Sequence, residues 1–89
     1  MSDTITVTIK YFVSLKEKTG KREEAVGFQP GGMLTDIVAY LNAAYGISLP
    51  DRKIMAILNG KGWNQLPEKL ATPLRDGDVV CLFPPVSGG

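Results

Sequence analysis

The sequence predicts an α+β fold, a mixed β-sheet with one main helix packed across one of its faces. Three observations lead there. The opening segment alternates apolar and polar residues with period 2. A central segment repeats its apolar residues at the helical period. The order of elements along 89 residues reads β, β, α, β, β, too short a chain for more than one modest core.

Thr4 to Phe12 puts Ile5, Val7, Ile9 and Tyr11 on one side and Thr4, Thr6, Thr8 and Lys10 on the other, the pattern of a half-buried strand. From Lys16 to Arg22 the chain is polar and broken by Gly20, and a weaker strand follows over Glu23 to Phe28. The two strands read as a hairpin whose loop has room for a helical turn. Lys16, Lys18, Lys21 and Arg22 are interleaved with Glu17, Glu23 and Glu24, which reads as a solvated surface.

Pro30-Gly31-Gly32 punctuates the chain, and Leu34, Ile37, Val38, Leu41, Ala44 and Tyr45 then fall on one helical stripe that Gly46 is placed to stop. The start of this helix is open, because Thr35 can cap it while the apolar pattern already includes Leu34. Ile54 to Leu58 is a short apolar strand, Asn59-Gly60 a tight turn, and Trp63 can continue the hairpin. Residues 64–75, with Pro67 and Pro73, are irregular; Asp76-Gly77-Asp78 makes the last turn and Val79 to Phe83 the last strand.

A single helix covers a single sheet face, so the opposite face is solvated or given to a partner. By the alternation, Val80 and Leu82 face the core with Ile5, Val7 and Ile9, whereas Phe12, Cys81 and Phe83 face away. Phe12 and Phe83 are therefore expected to form an exposed apolar patch, a partner face.

Composition removes several classes of function. Ten Lys and Arg against nine Asp and Glu, scattered along the chain, lack the basic footprint of a nucleic-acid binder. No apolar run reaches the ~18 to 20 residues of a membrane helix, no secretory signal opens the chain, and a cytoplasmic protein is expected. The absence of histidine excludes a Ser/His/Asp triad and a Cys/His pair, and one cysteine excludes a CxxC knuckle, so no metal site is expected. Cys81 is expected to be structural, since Val79-Val80-Cys81-Leu82 offers no cation to activate the thiol.

The pattern stops at Phe83, dividing the chain into a domain over 1–83 and a flexible tail over 84–89. Pro84 and Pro85 cannot continue a paired strand and favour an extended exit, so the tail reaches roughly 20 Å, enough to thread into another protein. Gly88 and Gly89, without Cβ atoms, fit a narrow channel. A carboxylate is a poor electrophile and needs activation, for example as a mixed anhydride with AMP, before sulfur or nitrogen attacks it.

Tyr11-Phe12, the amphipathic helix, Ile57-Leu58-Asn59-Gly60, Thr72-Pro73-Leu74-Arg75-Asp76-Gly77-Asp78 and above all Phe83-Pro84-Pro85-Val86-Ser87-Gly88-Gly89 resemble the MoaD/ThiS sulfur carriers of the ubiquitin-like β-grasp fold. The resemblance is strongest to the members that serve as the small subunit of molybdopterin synthase. It implies that an E1-like adenylyltransferase activates Gly89 with ATP and a sulfur donor converts the adenylate to a thiocarboxylate. Residues Pro84, Pro85, Val86, Ser87 and Gly88 would thread the tail into a large synthase subunit. The carrier itself would bind no cofactor, act within a heteromer, and deliver sulfur to a pyranopterin precursor of the molybdenum or tungsten cofactor. Carriers for thiamine or cysteine synthesis, and protein modifiers joined through Gly89, share the activation step. Met33 stands where many relatives have a Ser or Thr cap, which implies a weaker first helical turn, and the Gly60-Lys61-Gly62-Trp63 turn also departs from the pattern.

Overall fold

The computed structural model describes residues 4–84. Its elements are β1 (Ile5–Tyr11), α1 (Ser14–Thr19), β2 (Glu23–Phe28), α2 (Leu34–Tyr45), β3 (Met55–Leu58), β4 (Lys61–Gly62) and β5 (Val79–Phe83). The sheet order is β2-β1-β5-β3-β4. β1 and β5 run parallel, and the other neighbours pair antiparallel.

The alternation of β1 becomes the core: Val7, Ile9 and Tyr11 are buried under α2, as are Val80 and Leu82 of β5. From α2, Leu34, Ile37 and Leu41 meet them, with Val38 and Tyr45 partly buried beside them. Ala44 departs from the expected stripe and is exposed. Beyond the helix, Gly46 turns left-handed and Ile47 folds back, its N–H donating to the Leu41 carbonyl, so the buried Ile47 side chain closes the end of the core instead.

The start of α2, which the sequence leaves open, is placed by the structure. The helix begins at Leu34 rather than after a Thr35 cap. Met33 has no cap oxygen, but the Asp36 carboxylate reaches back and accepts a hydrogen bond from the Met33 N–H at 2.7 Å. This is the third-residue half of a capping box, so the first turn is not left uncapped.

Of two further elements, the first is the helical turn for which the loop has room and the second differs from expectation. The helical turn in the first loop is α1, which starts at Ser14 because buried Leu15 anchors it; a lone apolar residue carries no period to read. Val13, with φ 53°, makes the sharp bend into it. The second hairpin stops at Gly62 instead of continuing through Trp63, which opens a 3-10 turn over Trp63–Gln65 and is buried. The turn itself is as expected: Asn59 and Gly60 both take positive φ, the geometry of a two-residue hairpin loop.

Glu24 is not solvated surface. Its carboxylate accepts hydrogen bonds from Tyr11 at 2.6 Å, Tyr45 at 2.6 Å and Tyr40 at 2.9 Å, all three tyrosines of the chain, and from Lys21 Nζ at 3.0 Å. Burial alone would raise the Glu24 pKa, but the donors Tyr11, Tyr45, Lys21 and Tyr40 outweigh it and bring the carboxyl from 4.5 down to about 2. Burial first, and then the Glu24 carboxylate, raise the Tyr11 hydroxyl far above its ordinary range. The cluster ties β2 to β1 and α2.

Candidate functional site

The face of the sheet away from α2 is built by register. Lys10 of β1, Cys81 of β5 and Ile57 of β3 lie side by side, and Phe83 lies beside Met55. Paired residues share a face, so Val79, Cys81, Phe83, Ile57 and Met55 form one apolar strip across β5 and β3. Phe12 completes it: its N–H donates to the Leu82 carbonyl at 3.0 Å, and its ring meets Phe83 edge to face at 6.4 Å. Phe12 and Met55 are each 43% exposed and Val13 is 69% exposed, while Phe83 is half-buried.

Phe12 and Phe83 are thus brought together in an exposed apolar patch. Sequence reasoning missed Met55 and Ile57 as parts of it. Their alternation was visible, but the register that sets Met55 opposite Phe83 was not. Cys81 is half-buried in the middle of the strip, and Lys10, absent from its local sequence, is its neighbour across the parallel pair.

The strip is held at the end where β5 begins. The Asp78 carboxylate, buried, accepts from the Arg75 N–H at 2.8 Å and from Asn59 Nδ2 at 2.9 Å, and Asn59 Oδ1 accepts from the Val79 N–H at 2.9 Å. Asp76 Oδ1 accepts from the Thr6 N–H at 2.8 Å. The acidic pair around Gly77 therefore pins the last turn to β1 and to the β3–β4 turn, a structural task. At its other end β5 finishes at Phe83, beside Met55 and Phe12, and Pro84 is the last described residue. The tail positions Pro85, Val86, Ser87, Gly88 and Gly89 lie outside the described residues.

Among the described residues no group of three or more carboxylate or cysteine side chains is placed to hold a metal ion. No helix among them is long and apolar enough to cross a membrane. What the site offers is an exposed apolar face with β5 ending at its edge.

The profile of the ThiS family matches residues 9–89. The chain belongs to the ThiS family. It is 31% identical over 85 residues to the molybdopterin synthase sulfur carrier subunit of Escherichia coli K12, covering 93% of this chain and 99% of that one. Among solved structures, the small archaeal modifier protein 1 of Methanosarcina acetivorans is 27% identical with a TM-score of 0.75, covering 99% of this chain and 100% of that one. The complex of subunits 1 and 2 of the molybdopterin-converting factor of Helicobacter pylori contains a chain 29% identical, with a TM-score of 0.62, covering 96% of this chain and 100% of that one. The architecture is the ubiquitin-like β-grasp. In this ThiS-family chain the part of the strip formed by Phe12, Met55 and Phe83 lies at the end of the sheet where β5 finishes.

Proposed function

We propose that this chain is the sulfur-carrying small subunit of a molybdopterin synthase, working through the carboxylate of Gly89. The observation that carries the reading is the match to the sulfur carrier subunit over 93% of the chain, within a family profile that runs to Gly89 itself. The exposed strip beside the exit of β5 supports it, since a carrier must be held by its partners close to where its tail departs.

The chemistry follows from what a carboxylate lacks. An E1-like adenylyltransferase joins the Gly89 carboxylate to AMP from ATP, releasing pyrophosphate. A donor persulfide displaces AMP, and thiol cleavage of the resulting S–S bond leaves the thiocarboxylate. The carrier binds no cofactor of its own; it works in the cytoplasm, where ATP is supplied. Phe12 and Phe83 seat it on the large subunit, and Pro84 to Gly88 thread the end into the partner's channel.

The test is intact-mass spectrometry after incubation with an E1-like enzyme, ATP and a sulfur donor, reading replacement of one oxygen by sulfur, followed by capture of the large subunit. Deleting Gly89 moves the acyl group by about 3.3 Å along an extended chain and should abolish the product. Equal thiocarboxylation and cofactor synthesis by the shortened chain would refute the reading. The likeness to a small archaeal modifier protein favours a second use, conjugation to lysines through the same adenylate. A ladder of tagged species of higher mass on immunoblots, lost with Gly89, would reveal it.

A further inference from the structure

We propose that the groove around Trp63 is a second contact site for the large subunit, receiving a loop that carries an apolar side chain next to a carboxylate; this rests on the synthase reading above. Trp63 is 7% exposed, yet its indole Nε1 has no hydrogen-bond partner among the described residues. A buried donor left unpaired is destabilising, and an acceptor brought by a partner would relieve that cost.

The hairpin register explains how the site arises. Leu58 pairs with Lys61 and Ile57 with Gly62, so the next pair would set Ala56 against Trp63. Trp63 leaves the ladder for a 3-10 turn, and Ala56 is left without a strand partner on that side. Two concavities result, of about 240 and 270 Å³, which share Pro50, Trp63 and Asn64 and so run together over the indole.

The nature of the occupant follows from what borders this groove. Arg52 borders the first concavity, is exposed, and forms no ion pair among the described residues. Asp51 borders the same concavity, one of its carboxylate oxygens accepting from the Lys53 N–H at 2.8 Å. Lys69 borders the second concavity, where its ammonium donates to the Asn64 carbonyl at 2.6 Å and keeps its charge and two further N–H donors. An N–H donor lacking an acceptor on apolar walls, bordered by two cations against the single carboxylate of Asp51, is complementary to a carboxylate beside an apolar group. Met55 lines the first concavity and also faces Phe83, which makes the groove continuous with the docking strip. A partner seated on that strip therefore reaches the groove without a separate interface. Small opening of the Trp63–Gln65 turn would then let the indole meet its acceptor.

Trp63 is the chain's single tryptophan, so fluorotryptophan incorporated into this chain reports on it alone by fluorine NMR. Titration of the full chain with the large subunit should shift that resonance. Trp63→Phe removes the N–H and part of the buried ring, so it should lower stability somewhat; in the folded chain it should weaken binding about tenfold. Arg52→Glu, at an exposed position that does not affect folding, should also weaken binding about tenfold, with the deficit shrinking at high salt. Binding of both variants within about twofold of the parent, with an unmoved fluorine resonance, would overturn the proposal while the synthase reading stood. No binding of the parent chain to the large subunit would sink both.

Discussion

Replacing Glu24 tests whether the carboxylate beneath three tyrosines is a principal tie between the sheet and α2. Its folded pKa, about 2 against an ordinary 4.5, sets a linkage ceiling of roughly 3.4 kcal/mol at 1.36 kcal/mol per pH unit. The Glu24 side chain is still 13% exposed and one donor, Lys21, stands in solvent, so screening reduces the working figure to about 2 kcal/mol. Glu24→Gln keeps the shape and removes the charge, and should cost about that much, lowering the melting temperature by about 10 °C in a domain of this size. Glu24→Ala should cost about 1 kcal/mol more, because the hydroxyl of buried Tyr11 loses its acceptor. The sign of the pH dependence follows from the depressed pKa. The contribution is complete above 4.5 and is lost as pH falls toward 2, so parent and Glu24→Gln should converge over that window. Urea unfolding at stepwise pH measures the difference. A Glu24→Gln variant within about 0.5 kcal/mol of the parent at pH 7, or a gap that stays constant down to pH 2.5, would refute the reasoning.

Three further outcomes are expected. Asp36→Ala removes the acceptor of the Met33 N–H and should cost about 1 kcal/mol in denaturant unfolding. Phe12→Ala deletes a ring that is 43% exposed, so stability should change by less than about 1 kcal/mol while affinity for the large subunit falls tenfold or more, at ~1.4 kcal/mol per decade, in calorimetry. Cys81→Ala should still acquire the thiocarboxylate in the mass assay, since the thiol sits within the strip rather than at the chain end; loss of that product would make Cys81 a relay.

The elements legible in the sequence are those whose environment repeats with their own period. β1 and β5 alternate because one face meets α2, and α2 shows its stripe because Leu34, Ile37 and Leu41 lie on the sheet. Phe12 and Phe83 were legible for the same reason, as the residues that the alternation turns outward. Glu24 was not. Among Lys21, Arg22 and Glu23 it looks like solvated charge, and its partners Tyr11, Tyr40 and Tyr45 lie 13, 16 and 21 residues away. Met55 entered the strip only through the β3–β5 register, a pairing of residues 28 positions apart in sequence numbering (55 and 83). Leu15 and Trp63 are single anchors of short turns, where no period exists to be read.

Under the proposed function, the placement of β5 would join docking to delivery. This strand lies between β1 and β3, paired on both sides, and its first residues are tied by Asn59 and the Asp78 backbone. A slip of one residue would turn Val80 and Leu82 out of the core and Cys81 and Phe83 into it, so that register is closed. A slip of two would restore the faces but displace the strand end by about 6.6 Å, at the cost of the ladders on both sides and the clamp on Asp78. The position of Pro84 relative to Phe12, Phe83 and Met55 is therefore as fixed as the core itself. A partner that grips the strip fixes the origin of the tail in the same act, and the distance left to its reaction centre is then set by the number of residues from Pro84 to Gly89. Changes on the strip should accordingly alter how often the carrier docks, and changes in tail length should alter whether a docked carrier reacts.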